Sequence, residues 1–287
     1  MKAFAAAAAG FASAYYYRSS APAEMAGESA AFSQKDFQAY KLVEVNQESH
    51  NVKHFRFALA DKNTVLNLPV ASCITLKYTD KNGEDVMRPY TPTNLSTEKG
   101  FFDLIVKEYP NSKMGSHLFK LKVGDTIDAK GPWPTLAVAP SQFTSIGMIA
   151  GGTGITPMYQ IIHNVLSGKG NTTSISLLFA NNTEEDIIMR KDLEALQSKH
   201  SKQFSLHHVI SKPSAGWKGL TGHVNADMIK ANLPAPGKNI KVLVSGPPPM
   251  MEAICGKKDY SSYPPKQGEL GGVLKGLSYT SEQVYKF

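Results

Sequence analysis

The residues best suited to chemistry in this chain form four short runs rich in glycine, proline, hydroxyls and basic side chains. The first, Gly151-Gly152-Thr153-Gly154-Ile155-Thr156-Pro157-Met158, directly follows an apolar stretch at 146–150. Its glycines permit a tight turn and bring a pyrophosphate close to the backbone. Thr156 suits an N-cap and Pro157 a first helical position, so the helix behind them would offer free N–H groups to an anion. An ordinary strand-to-helix turn reads the same way, and the run is not G-x-G-x-x-G, so a standard Rossmann site is not indicated. The second run, Ser245-Gly246-Pro247-Pro248-Pro249-Met250, ends another apolar stretch. Three prolines make a stiff, pre-shaped loop at the carboxyl edge of a sheet, where open α/β sheets bind ligands. The third, Arg88-Pro89-Tyr90-Thr91-Pro92-Thr93, supplies a cation for a phosphate and a flat ring for packing. The fourth, Lys113-Met114-Gly115-Ser116-His117-Leu118, opens a helix; Gly115 and Ser116 there either cradle a second phosphate or simply cap.

Two kinds of element carry these runs. Over about 40–130 the chain offers short strands divided by turns, such as 54–59, 74–78 and 101–107, with an Asn82-Gly83 hairpin signal. That density of short strands predicts a small antiparallel β-barrel, interrupted by one helix at 116–121. From about 145 the pattern alternates: strands at 146–150, 174–180, 204–210 and 240–245, with helices at 157–166, 184–198 and 225–231. Alternation predicts a parallel sheet wrapped by helices. The fold class is thus a two-domain α+β chain, a barrel at 37–140 followed by an α/β domain at 141–287. The Pro- and Gly-rich stretch 260–274 carries no readable pattern.

Composition narrows the chemistry. Of 287 residues 42% are hydrophobic and 19% charged, enough for real cores. The two cysteines, Cys73 and Cys255, are too few for an iron–sulfur cluster or a disulfide scaffold and read as free thiols. The eight histidines show no metal spacing, so no metal site is expected. The net charge of +7 favours an acidic partner or an anionic membrane surface. The basic residues are scattered rather than gathered into an arm, which argues against nucleic acid. Residues 3–17 are uncharged and Ala-rich, bracketed by Lys2 and Arg18. At 1.5 Å per residue this helix would reach roughly 23 Å, short of a ~30 Å bilayer core, though three tyrosines at its end suit the headgroup level. A cleaved signal peptide and a mitochondrial targeting segment compete with an N-terminal anchor; the anchor, residues 1–18, is favoured. Residues 19–36 read as a flexible tether.

The order of the four runs carries more than any one of them, and the chain resembles the NADH-cytochrome b5 reductases, within the ferredoxin-reductase-like flavoenzymes. Arg88-Pro89-Tyr90-Thr91, Ile105-Val106-Lys107, Lys113-Met114, the run from Gly151 to Met158, Phe179-Ala180-Asn181 and the run from Gly246 to Met250 carry the likeness, which extends from about Phe37 to Phe287. The Ala-rich leader, Pro132-Trp133-Pro134 and the ending Tyr285-Lys286-Phe287 look most like the fungal mitochondrial branch. The resemblance implies FAD on the barrel, with Arg88 on its pyrophosphate and Tyr90 against its ring. Pro89, Thr91, Val106, Lys107, Lys113, Met114, Gly115, Ser116, Thr153, Thr156 and Pro157 fall in the cofactor-binding segments. NADH would lie across Gly151, Gly152 and the loop of Gly246, Pro247 and Met250. Tyr90, Thr91 and Ser245 would stand nearest the reacting rings. Two positions depart from the family: Ser245 replaces its usual Cys, and Gly115 its usual Ser or Thr.

The activity implied is hydride transfer from NADH to FAD, then single electrons to cytochrome b5 or a similar acidic haem protein. It implies a monomer held by its N-terminus at the mitochondrial outer membrane or intermembrane space rather than the endoplasmic reticulum. Other readings are a reductase of ferric chelates or quinones, and a nucleotide-binding regulator without catalysis. A preference for NADH over NADPH is expected from Asn181 and Asn182, suited to ribose hydroxyls. Glu184, Glu185 and Asp186 at the start of the next predicted helix would repel a 2′-phosphate, with Arg190 and Lys191 lying further on.

Overall fold

The computed structural model describes residues 30–139, 141–262 and 265–287. The expected anchor and the first part of the expected tether lie outside them. The first half is a six-stranded antiparallel sheet in the order β4-β3-β6-β1-β2-β5. Its strands are β1 (Gln38–Ser49), β2 (Val52–Ala58), β3 (Ser72–Thr79), β4 (Asp85–Tyr90), β5 (Phe101–Lys107) and β6 (Thr126–Pro134). Along β3 the buried Ser72, Ile74 and Leu76 alternate with half-buried neighbours, the period of a strand with one face inward. Inward residues of all six strands, among them Leu42, Phe55, Ile74, Val86, Phe102 and Ile127, meet in one cluster, so the sheet curls into the expected barrel. β4 and β5 each pair on one side only, which leaves a seam. The Asn82-Gly83 hairpin joins β3 to β4, with the Asp80 carboxylate accepting from the N–H groups of Asn82 and Glu84.

The last residues of the expected tether belong to this barrel. Phe32 is 5% exposed and packs edge-on against Phe102. The Tyr40 hydroxyl donates to the Ala31 carbonyl at 2.7 Å, and Gly131 N–H donates to the Ser33 carbonyl. One apolar ring among small polar residues was enough to seat the segment.

The second half is a six-stranded parallel sheet in the order β10-β9-β8-β7-β11-β12. Its strands are β7 (Ser145–Gly151), β8 (Ser174–Asn181), β9 (Phe204–Ile210), β10 (Leu220–Thr221), β11 (Ile240–Ser245) and β12 (Val284–Lys286). The helices are α1 (Lys113–Lys120), in the barrel half, then α2 (Ile155–Ser167), α3 (Arg190–Lys199), α4 (Ala226–Asn232), α5 (Pro248–Cys255) and α6 (Gly272–Gly276). From β7 the chain winds outward through β8 and β9, then returns to place β11 on the other side of β7. Strand order therefore reverses between β7 and β11, and ligands of open α/β sheets bind at such a switch point, beyond the carboxyl ends of the strands.

Four helix starts differ from their sequence expectations. α1 begins at Lys113, because the Ser112 hydroxyl caps it by accepting from Gly115 N–H at 3.1 Å. α2 begins at Ile155 after a single 3-10 turn, Gly152–Gly154, so Gly154 is its cap and Thr156 and Pro157 sit inside its first turn. The prolines of the second run open α5 rather than forming only a loop, with Pro247 as cap and Pro248 in the first turn, where a missing N–H costs nothing. α3 begins at Arg190, not 184: Met189 takes a left-handed conformation (φ 55°), and Asp186, Ile187 and Ile188 turn inward and are buried.

Candidate functional site

Both ligand-type loops of the α/β half end strands that flank the switch point. The Gly151-to-Gly154 loop leaves β7 and the Ser245-Gly246 loop leaves β11, with Ser245 paired beside Ala150. The two loops pack backbone to backbone: a Cβ at position 154 would stand 2.2 Å from the Ser245 carbonyl oxygen. Gly152 has φ +52°, a conformation side chains rarely adopt. Met250 covers the pair; a Cβ at 151 would meet its Sδ at 2.6 Å. The Thr156 hydroxyl is not free to donate to a ligand, since its hydrogen goes to the Thr153 carbonyl at 3.1 Å. One strand over, Asn181 ends β8. It is 9% exposed, and neither its Oδ1 nor its Nδ2 has a hydrogen-bond partner. A buried carboxamide with both ends unsatisfied costs about 1–3 kcal/mol per group unless something else pairs with it. Its place at the carboxyl edge of the sheet fits a ligand hydroxyl.

The barrel presents its expected residues along the seam. Arg88 in β4 is exposed, and among the described residues its side chain donates to the adjacent Met87 carbonyl at 2.7 Å and forms no ion pair, so its fork is available to an anion. Tyr90, at the end of β4, is half-buried against the barrel core, and burial pushes its phenol up to about 12. It is a neutral ring. At the start of α1 the N–H groups of Lys113 and Met114 have no acceptor within the helix, while that of Gly115 is taken by Ser112. The hydroxyl that this family places after Lys-Met is thus replaced by one three residues earlier. Val106 and Met114 are 2% exposed with side chains in the barrel core, so their side chains are not offered to a ligand. Lys113 is half-exposed beside Asp80 and Glu84, at 3.4 and 3.6 Å.

Lys107 behaves differently from its expectation. Its ammonium lies 2.9 Å from Asp186 Oδ1, with the two side chains 12% and 6% exposed. This ion pair joins the barrel to the α/β half, and it explains why Asp186 cannot stand at a helix start. Burial pushes the Asp186 carboxyl up, but Lys107 and the Thr183 N–H and hydroxyl outweigh it and hold it below its ordinary value. Of the three acids expected to repel a phosphate, Glu184 is also engaged, by the Ser214 hydroxyl and by Arg190 at 3.8 Å; Glu185 alone stays exposed. The end of β9 folds alongside, where Lys212 N–H donates to the Asn182 carbonyl at 2.8 Å and its side chain is exposed. That cation, distant in sequence, was missed by local reading.

The halves meet through more than this pair. Val52, Ala71 and Ile105 of the barrel share one apolar cluster with Ile155, Met158 and Ile162 of α2. Gln160 of α2 accepts from Ser72 N–H at 3.1 Å and donates to the Pro92 carbonyl at 2.7 Å. The hydroxyl of Tyr109 would lie 3.9 Å from a Cβ at 152, so the loop before α1 reaches the nucleotide-type loop. The glycine cradle, the orphaned Asn181, the free Arg88 fork and the open α1 terminus therefore fit two phosphate-bearing cofactors approaching from opposite halves.

Comparison with known proteins agrees with this division. A model of the oxidoreductase FAD-binding domain matches residues 39–137, and one of the oxidoreductase NAD-binding domain matches 148–256. NADH-cytochrome b5 reductase 2 of Meyerozyma guilliermondii is 43% identical over 239 residues, covering 83% of this chain and 80% of that one. NADH-cytochrome b5 reductase 2-A of Vanderwaltozyma polyspora is 40% identical over 273 residues, 95% of this chain and 91% of that one. Among solved structures, the cytochrome b5 reductase domain of Ulva prolifera nitrate reductase superposes with a TM-score of 0.75 at 31% identity, covering 90% of this chain and all of that domain. FAD and NADH are the cofactors of such a two-domain chain, and the chain belongs to the NADH-cytochrome b5 reductase family of flavin-dependent oxidoreductases.

Proposed function

We propose that the chain takes a hydride from NADH and passes single electrons to cytochrome b5 or a similar acidic haem protein. The observation that carries this reading is the pairing of two cradles on facing halves, one along the barrel seam and one at the sheet switch point, in a member of this family. Bound FAD supplies the conversion of a two-electron donor into one-electron deliveries. The residues do the rest. Arg88 and the first-turn N–H groups of α1 hold phosphate charge; Tyr90 packs against a flat ring as a neutral phenol. Gly151, Gly152 and Gly246 let a dinucleotide approach the backbone, Pro247 stiffens the rim, and Asn181 satisfies its carboxamide on ribose hydroxyls. Ser245, small and at the end of β11, leaves room beside the reacting rings. Stopped-flow mixing of the flavin-loaded protein with NADH, then with cytochrome b5, tests the reading: bleaching of the flavin followed by its reoxidation is expected. An enzyme whose reduced flavin ignores cytochrome b5 but reacts with ferric chelates or quinones would refute the acceptor.

The protein acts, in this proposal, as a monomer tethered by residues 1–18 to the mitochondrial outer membrane or facing the intermembrane space. Support comes from the uncharged Ala-rich run, its flanking Lys2 and Arg18, and the absence of acidic residues before Glu24. No helix among the described residues is long and apolar enough to cross a membrane. Fractionation of cells carrying the full chain and a chain lacking residues 1–18 tests it. Co-sedimentation of the shortened chain with mitochondrial membranes would sink the assignment.

A further inference from the structure

We infer that Gln160 is a positioning residue for hydride transfer, fixing the register between the nucleotide loop and the strand exit that carries Tyr90 and Thr91. The inference rests on the flavin and nicotinamide reading above. Gln160 is 8% exposed, and both ends of its carboxamide are spent across the border between the halves. Its Oε1 accepts from Ser72 N–H, 88 residues away, and its Nε2 donates to the Pro92 carbonyl, 68 residues away. The orientation of the amide is fixed by its partners: a backbone N–H can only donate and a carbonyl can only accept.

Its place in the chain gives the contact its meaning. Gln160 lies four residues after Thr156, so it occupies the same face of α2 one turn on from the nucleotide loop. Pro92 directly follows Thr91 in the run that holds the flavin-type ligand. A single side chain thus ties the helix behind one cradle to the strand leaving the other, with no solvent between. The apolar contacts around it are non-directional and allow sliding. A pair of buried hydrogen bonds does not. Where two rings must meet, a misplacement of about 1 Å lowers the rate on the order of 100-fold.

The two ends of the amide can be tested separately. Gln160→Glu keeps an acceptor for Ser72 N–H but, when ionised, has no hydrogen for the Pro92 carbonyl. Gln160→Met keeps the length and loses both bonds. In stopped-flow reduction by NADH, Gln160→Met at every pH, and Gln160→Glu at a pH high enough to ionise its carboxyl, should show a limiting rate of flavin reduction lowered about 10- to 100-fold. The apparent NADH dissociation constant should stay within about twofold of wild type, because neither variant touches the dinucleotide. Burial raises a carboxyl's pKa, so Gln160→Glu should regain rate as the pH is lowered and its protonated acid donates to Pro92, while Gln160→Met stays slow at every pH. Hydrogen exchange at the Ser72 amide gives a readout independent of turnover: it should remain protected in Gln160→Glu and lose protection in Gln160→Met. A variant that sheds flavin is assayed with saturating added FAD. Near-normal reduction by Gln160→Met, or a Gln160→Glu enzyme whose rate is the same at high and low pH, would overturn the inference. If wild-type flavin is not reduced by NADH at all, the reductase reading fails instead, and the Ser72 exchange pattern still reports on the tie.

Discussion

Replacing Lys107 by Met should destabilise the protein far more than loss of a surface charge. Exposed ion pairs contribute about 0–1 kcal/mol, whereas removing one partner of a buried pair costs about 3–5 kcal/mol because the remaining charge is stranded. At 12% and 6% exposure the Lys107–Asp186 pair belongs to the second class. Asp186 keeps its two bonds from Thr183 in Lys107→Met, which places the loss near the lower end, about 3 kcal/mol. Asp186→Ala also strands the Thr183 N–H and hydroxyl and should cost about 1 kcal/mol more. For a chain of this size about 3 kcal/mol corresponds to a fall in Tm of roughly 6–12 °C. Lys107→Met/Asp186→Leu, which removes both charges, should recover most of it, since apolar replacement of a whole buried pair is close to neutral. Urea unfolding of the flavin-saturated proteins measures this directly. The pH dependence has a fixed sign. The folded Asp186 carboxyl lies below its ordinary value of 3.8, so the pair's contribution is present above that value and is lost as pH falls through the folded value. Wild type and Lys107→Met should therefore converge only as pH falls below the ordinary carboxyl value of 3.8. A Lys107→Met protein within about 0.5 kcal/mol of wild type, or a double variant no better than the single ones, would refute a buried interdomain pair.

Gly154→Ala would set a methyl 2.2 Å from the Ser245 carbonyl oxygen, and because backbone cannot yield as a flexible side chain does, we expect about 1–3 kcal/mol of destabilisation and weaker NADH binding, read by calorimetry and by titration of flavin reduction. Removing residues 1–29 should leave a soluble, flavin-holding enzyme, whereas removing residues 1–34 deletes Phe32 and should cost about 3 kcal/mol, seen in thermal unfolding. NADH should be preferred over NADPH in kcat/KM, but the exposed Lys212 beside Asn182 gives NADPH a foothold. Lys212→Glu should lower kcat/KM for NADPH several-fold at low salt while leaving NADH nearly unchanged; equal effects on both nucleotides would place the ribose elsewhere.

The strands were the most legible part of the fold. β5, β9 and β11 begin and end where short runs of apolar and β-branched residues place them, because that signal is local. Helix starts were less so. A cap depends on which oxygen actually reaches the first N–H groups, and both Ser112 and Ser116 are good candidates by type; only the fold makes Ser112 the one that bonds. The helix expected at 184–198 was shortened by a partner 79 residues away, Lys107, which drew Asp186 inward. Of the candidate site, Arg88, Tyr90 and the two glycine loops could be read because their backbone chemistry is written in consecutive residues. Gln160 could not. In sequence it is one more polar residue in a helix, and its two partners, one at the start of β3 and one just past the end of β4, come from the other half.

The barrel seam has a consequence for the life of the protein before its cofactor arrives. β4 pairs on one side only, and an unpaired strand edge is a template for another chain, whereas β5 is mostly buried, with Asp103 on its outer side accepting from Thr93 N–H. Pro89, which has no N–H to offer, and the charged Asp85 and Arg88 blunt the β4 side, a usual defence of edge strands. The β4 edge carries Arg88 and Tyr90, expected to hold FAD, so a bound cofactor would lie beside that edge. Flavin would then protect that edge as well as enable catalysis, and the flavin-free chain is expected to self-associate more readily than the loaded one.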